Sequence, residues 1–390
     1  MLGCVQGIRS GTGAAVASER DRFIDLVRVT CLAAVVFLHW LSVVPDVRDG
    51  KVVDRNVVDL VPGLWPLTWT GDVMALFFFV GGYANWVSLQ AGLGRGESRS
   101  VYLARRLRRL IRPTVGFLGL WLGVDLLLRA AGAGALSPLR HVAIGNTIPF
   151  GPLWFVGVYV VVIAISPWTV RAHHRWGILV PVGMVICVAS ADVVAFVRDS
   201  GWPLAINLVL VWLIPHQLGY FYADGRFRRL SMAACSGMAA AGLAALVLLT
   251  SLPYYPRSLV TPRWTVLGFD APMLSQVAGG LWLVGLAMLL RRPAERLLAE
   301  PGRWRLVGLA NDSAMPVYLW HMTAYLIVAV GLARLGAGFV YATRPSLGWW
   351  LGRPVMVVLA AVVLAGIVSA LRRTSRLSRR APRWRAIVNH

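Results

Sequence analysis

The sequence predicts an all-α integral membrane protein, a bundle of about ten transmembrane helices with both termini on the cytoplasmic side. Three observations predict it. Hydrophobic residues fill 57% of the 390 positions and charged residues 14%, against roughly 45–50% and 25% in soluble domains. The apolar residues fall in runs of about 20, the length that crosses a hydrocarbon core of about 30 Å. Basic clusters lie between alternate runs: with the N-terminus inside, 28 of the 39 Lys and Arg fall on the inner side and 11 on the outer, as positive-inside topology requires. The net charge of +22 therefore reports topology, and no nucleic acid partner is expected.

Residues 1–20, MLGCVQGIRSGTGAAVASER, hold no continuous apolar core of signal-peptide length and are expected to be a disordered cytoplasmic lead. Ten apolar windows follow, near 27–45, 72–92, 113–131, 152–170, 177–197, 203–223, 232–252, 272–290, 307–333 and 348–371. No connection is long enough for a second soluble domain and no internal repeat is visible, so residues 21–371 are expected to form one transmembrane domain. The inner segments RGESRSVYLARRLRRLIR, RAHHR, GRFRR and RRPAERLLAEPGRWR carry most arginines, and residues 372–390 are a basic cytoplasmic tail. Cys4, Cys31, Cys187 and Cys235 show neither disulfide nor metal spacing and read as small core residues.

The first window, within RFIDLVRVTCLAAVVFLHW, places Arg28 at its mouth and His39 eleven residues further in. Eleven helical residues make about three turns and roughly 16 Å, so the two share a face, one at the surface and one near mid-membrane. An ionisable group inside a span costs several kcal/mol unless it faces the bundle interior or a wet cavity. His39 is therefore a candidate for proton transfer, the alternative being a neutral histidine bonded to a neighbouring helix. Asp25, three residues before Arg28, is placed to orient the guanidinium as a helical pair.

In YLARRLRRLIRP, Arg105, Arg106, Arg108, Arg109 and Arg112 form overlapping R-x-x-R pairs, which put guanidinia on neighbouring turns where two can grip one phosphate. The same block would serve equally as a topology anchor that binds anionic headgroups. The ninth window contains NDSAMPVYLWHMTAY, in which Tyr318, His321 and Tyr325 share a helix face and are candidates to line a cavity. Asn311, Asp312 and Ser313 form a cap-like start to that helix. Trp154, in GPLWFVGVYVVV, is a further lining candidate, although an interfacial tryptophan is commonly an anchor. Asp125, Asp192 and His216 are isolated polar groups that line a cavity or satisfy a helix crossing. There is no Gly-rich phosphate loop, HExxH or Cys/His cluster, so no metal site is expected.

Five segments, in order over about residues 20–371, resemble the membrane-bound acyltransferase-3 family: RFIDLVRVTCLAAVVFLH, FFFVGGYAN, YLARRLRRLIRP, GPLWFVGVYVVVIAISP and SAMPVYLWH. Where the family often has a serine-glycine pair after the phenylalanine run, this chain has Gly81-Gly82, which puts any hydroxyl role there in doubt. No extracytoplasmic esterase-like domain is expected. The resemblance implies transfer of an acyl group, acetyl in most members, from acyl-coenzyme A to a hydroxyl of an envelope glycan, glycolipid or glycosylated small molecule, with no bound cofactor. It implies that His39 takes the acceptor's proton or transiently carries the acyl group. Arg28 and the block Arg105 to Arg112 would hold the donor's phosphates at the cytoplasmic entrance.

Placement is in the cell membrane as a multi-pass protein among membrane lipids, with a homo-oligomer left open. A competing class is a proton-coupled transporter with His39, His321, Asp125 and Asp192 as a relay. The lack of an internal repeat and of paired interrupted helices speaks against it. A non-catalytic assembly or flipping partner would need neither the His39 geometry nor the arginine grip.

Overall fold

Backbone polar groups must be satisfied within the hydrocarbon region, which leaves a chain this apolar with helices as its spanning elements. The computed structural model describes residues 21–48, 51–61, 63–132, 150–261, 263–337 and 345–380. The expected lead at 1–20, Cys4 and the last ten residues of the tail lie outside them. Helix α1 (Arg22–Ser42) opens at Asp21, whose carboxylate accepts from the Ile24 amide at 3.1 Å. A hairpin of β1 (Val43–Arg48) and β2 (Lys51–Asn56) follows, pairing Val43 with Asn56 and Arg48 with Lys51. The short helices α2 (Val57–Leu60) and α3 (Trp65–Gly71) lead into α4 (Met74–Gly94) and α5 (Arg99–Ala130). Then come α6 (Trp154–Trp176), α7 (Leu179–Arg198), α8 (Asn207–Ala223) and α9 (Met232–Ser251). A two-residue pair, β3 (Thr265–Val266) with β4 (Phe269–Asp270), precedes α10 (Leu274–Leu297), α11 (Pro301–Asp312), α12 (Ala314–Arg334) and α13 (Leu347–Arg380).

The protein is an all-α integral membrane protein, and among the described residues nine helical segments are long and apolar enough to span. The window at 203–223 corresponds to a 3-10 turn at Trp202–Ala205 followed by α8, whose 17 residues lie at the short end of the spanning range. It is buried without interruption from Val211 to Tyr222, as befits a helix apolar on every side. Helix α4 lies directly against it. A Cβ on Gly82 would stand 1.9 Å from the His216 carbonyl oxygen, and one on Gly219 would stand 2.1 Å from that of Phe79. Only glycine permits this crossing. On the outside, α5, α7, α9 and α13 expose Leu127, Val197, Leu248 and Leu351. In water such surface costs about 25 cal/mol per Å², and lipid removes that cost.

Four local features differ from expectation. The arginine block belongs to the first turns of α5, because Ser98 caps the helix by accepting from the Val101 amide and no breaker intervenes before Pro113. Helix α13 continues to Arg380, since Leu and Arg are strong helix formers; the expected boundary at residue 371 marks a change of composition. Asn311, Asp312 and Ser313 do not cap α12. The chain stays nearly helical from α11 into α12, so Ser313 Oγ turns back to the Leu309 carbonyl and the Asn311 amide donates to that of Asp25. Finally, Cys31 and Cys235 are buried but Cys187 is exposed, since α7 buries only the stripe Pro181, Val188, Ala191, Asp192 and Ala195.

Candidate active site

Helices α1 and α12 run side by side and bring His39 and His321 together. His39 Nδ1 lies 3.0 Å from His321 Nε2, with the rings stacked at 5.1 Å between centroids. His39 occupies the last turn of α1 rather than the expected middle of the span, because the helix starts at Arg22, after the Asp21 cap, and ends where the chain turns into β1 at Val43. His321 stands about 10 Å into α12. His321 Nδ1 lies 2.7 Å from the Tyr318 carbonyl oxygen, which can only accept, so that nitrogen carries the proton. With the ring neutral, His321 Nε2 is then an acceptor, and His39 must donate to it from Nδ1. This fixes the tautomer of His39 and leaves a lone pair on its Nε2. Among the described residues nothing bonds to that nitrogen. His321 is fully buried and His39 half-buried, so the free lone pair sits on the more accessible ring.

Neighbouring side chains brace the pair. Trp40 Nε1 donates to the His321 carbonyl at 2.9 Å. The Tyr318 hydroxyl donates to the Pro152 carbonyl and its ring meets Phe155 at 5.6 Å, which ties the GPLWF segment to the histidines. Trp154 packs between Phe155 and Trp212 as part of an aromatic wall. Tyr325 shares the face of His321 but is fully buried, with its hydroxyl donating to the Val43 carbonyl at 2.8 Å. It lines no open space.

That contact also involves a residue the sequence reading missed. Arg353, 3% exposed, donates to Tyr325 at 3.0 Å, to the Trp40 carbonyl at 3.3 Å and to the Val43 carbonyl at 2.8 Å, with its guanidinium 3.6 Å above the Trp349 ring. These carbonyls belong to the end of α1, where helical acceptors lack partners and cations are favoured. Arg353 thereby clamps the turn that carries His39. Its signal was present: an ionisable residue inside the last apolar window.

The basic end of the bundle is more divided than the sequence suggests. Arg28 pairs with Asp25 at 3.6 Å, and Asp25 is buried. Arg105 pairs with Glu97 at 2.6 Å and Arg95 does so at 2.9 Å, and the two hold the half-buried Glu97 carboxyl below its ordinary range. Arg106 turns inward, placing Nε and Nη2 at 3.1 and 2.5 Å from Asn85 Oδ1. The Asn85 amide nitrogen in turn meets His216 Nε2 at 3.0 Å. Arg108, Arg109 and Arg112 are exposed and, with Arg105, line an open recess of about 480 Å³ on α5. The five arginines therefore do not form one cluster.

The remaining acidic candidates are engaged elsewhere. Asp125 pairs with Arg129 at 2.8 Å. Asp192 accepts from Asn207 at 2.9 Å, Tyr255 at 3.0 Å and the Leu274 amide at 2.8 Å, fastening α7, α8 and α10 together. No group of three metal-ligating side chains occurs among the described residues.

Helices that enclose two hydrogen-bonded histidines, with arginines at one end, define a multi-pass membrane protein built around an interior polar site. A family model of the acyltransferase domain matches residues 21–372. The chain belongs to the acyltransferase-3 family and is a membrane acyltransferase. No curated protein and no solved structure matches it.

Proposed function

We propose that the protein is an O-acyltransferase that moves an acyl group, acetyl by its resemblance, from acyl-coenzyme A to a hydroxyl of a glycan, glycolipid or glycosylated small molecule. The observation that carries the reading is the hydrogen-bond chain from the Tyr318 carbonyl through His321 to His39, which leaves Nε2 of His39 as an oriented, unoccupied base. The acceptor hydroxyl gives its proton to Nε2 while its oxygen attacks the thioester carbonyl. The carbon–sulfur bond then breaks, the departing thiolate takes the proton from Nε2, and His39 returns to its neutral form. His321 acts as the orienting group, as the third member of a catalytic triad does. The same lone pair would serve a histidine that carries the acyl group covalently. That variant predicts an acyl-enzyme when donor is supplied without acceptor.

The donor's phosphates would be met at the basic end by Arg28 and by members of the Arg105 to Arg112 block, since guanidinium forks match phosphate oxygens. Positive-inside topology puts that end in the cytoplasm, where acyl-coenzyme A is found. No observation favours the transporter reading, because Asp125 and Asp192 are each bonded away from the histidine pair. The test is to supply inverted vesicles with labelled acetyl-coenzyme A and follow label into vesicle glycolipid or soluble glycan. Flux coupled to a proton gradient, with no transfer of label, would overturn the proposal.

A further inference from the structure

Arg105 and Arg106 are neighbours on α5 in opposite electrostatic settings. The Arg105 guanidinium is met by the Glu97 carboxylate. That of Arg106 rests on neutral oxygens: Asn85 Oδ1 accepts from both Nε and Nη2, and the Tyr102 hydroxyl lies within hydrogen-bond reach of the same guanidinium. Among the described residues no carboxylate lies within ion-pair distance of Arg106. Arginine only donates, so the amide must turn its oxygen towards Arg106 and its nitrogen towards His216 Nε2, 3.0 Å away. His216 is itself fully buried and shares its stretch of α8 with the glycine crossing to α4. The fully buried Tyr102 adds a second tie, its hydroxyl donating to the Asn85 carbonyl at 3.3 Å. Asn85 is thus locked on two sides, and it orients the Arg106 fork without cancelling its charge. The N–H groups of this half-buried guanidinium that meet neither Asn85 nor the Tyr102 hydroxyl are left for an anion.

We propose that Asn85 is a positioning residue that presents Arg106 as the uncompensated cation of the donor site, so that Arg106, rather than its neighbour Arg105, grips a phosphate of acyl-coenzyme A. This rests on the reading of acyl-coenzyme A as donor. An aspartate at 85 would keep the shape and supply the cancelling charge. The test uses the full-length purified protein, measuring equilibrium binding of coenzyme A together with steady-state transfer. Asn85→Asp is expected to weaken coenzyme A binding and raise the KM for acetyl-coenzyme A at least tenfold, with kcat at saturating donor within about twofold. Glu97→Gln, which frees Arg105, is expected to leave that KM within about twofold. A merely structural Asn85 would lower kcat and thermal stability without this split. Should Asn85→Asp fail to insert, Asn85→Ser removes the orienting oxygen without adding charge, and an unchanged KM there overturns the proposal. A wild-type protein that binds no coenzyme A removes the donor reading and this inference together; wild-type binding matched by Asn85→Asp removes the inference alone.

Discussion

At His39 the useful atom is Nε2, and its availability is decided two hydrogen bonds away, at the carbonyl of Tyr318. His39→Ala and His39→Gln should insert normally but lose transfer by about a hundredfold to ten-thousandfold, the contribution of general base catalysis, measured as label moved at saturating substrates. Near-normal turnover in His39→Gln would return this residue to a packing role. His321→Gln keeps a hydrogen-bonding group but cannot enforce one tautomer of His39, so kcat should fall by an intermediate factor, about tenfold to a hundredfold, while the donor KM holds. A change confined to KM would mean that His321 touches substrate instead. Arg28, Asp25 and His39 were all legible in the sequence because helical spacing relates them. The pairing of His39 with His321 was not, since 282 residues separate them and periodicity does not say which faces meet. Asn85 and Arg353 were visible as polar residues in apolar windows, but their partners lie on other helices.

Elements were more legible than contacts, because a run of about 20 apolar residues has few other destinations. The windows find most of the long helices, but the one at 307–333 begins inside α11 and crosses the break at Ser313, and α6 and α10 run six and seven residues past the ends of theirs. Ser98 starts α5 ahead of Pro113, and the Leu/Arg-rich end of α13 stays helical. The hairpin after α1 escaped notice because its short strands carry no span-length signal. The glycine pair in FFFVGGYAN lacks the hydroxyl that the resemblance offers there, and the structure gives its two members different neighbours. A Cβ at Gly81 would meet the movable edge of the Tyr159 ring at 2.8 Å, whereas one at Gly82 would meet backbone at 1.9 Å. Gly82→Ala should therefore destabilise the protein by about 1–3 kcal/mol or more, and Gly81→Ala by clearly less. Thermal melting in detergent checks this order, and equal losses would refute the close α4 to α8 crossing. The same crossing carries His216 against α4, so Gly82→Ala should also raise the donor KM through Asn85.

For the whole molecule, composition settles membrane residence, but charge distribution must supply the orientation. A helix bundle inserted either way up keeps the same internal contacts; what differs is which side receives the arginines, and with the N-terminus inside, the inner segments, both termini included, would hold 28 of the 39 Lys and Arg. The donor reading depends on this choice, since acyl-coenzyme A reaches only cytoplasmic surfaces. The segment from Arg95 to Arg112 and the chain after Leu371 should both face the cytoplasm, with Arg257, beyond α9, on the outside. In a cysteine-free background, Arg99→Cys is exposed at the basic end and Arg257→Cys at the other. An impermeant maleimide added to intact cells should label Arg257→Cys and miss Arg99→Cys until the membrane is permeabilised. Efficient labelling of Arg99→Cys in intact cells would invert the bundle and place the arginines outside. His39 would then be reached by a donor only from the wrong face, and the acyl-coenzyme A mechanism would fall even if its histidine chemistry were right.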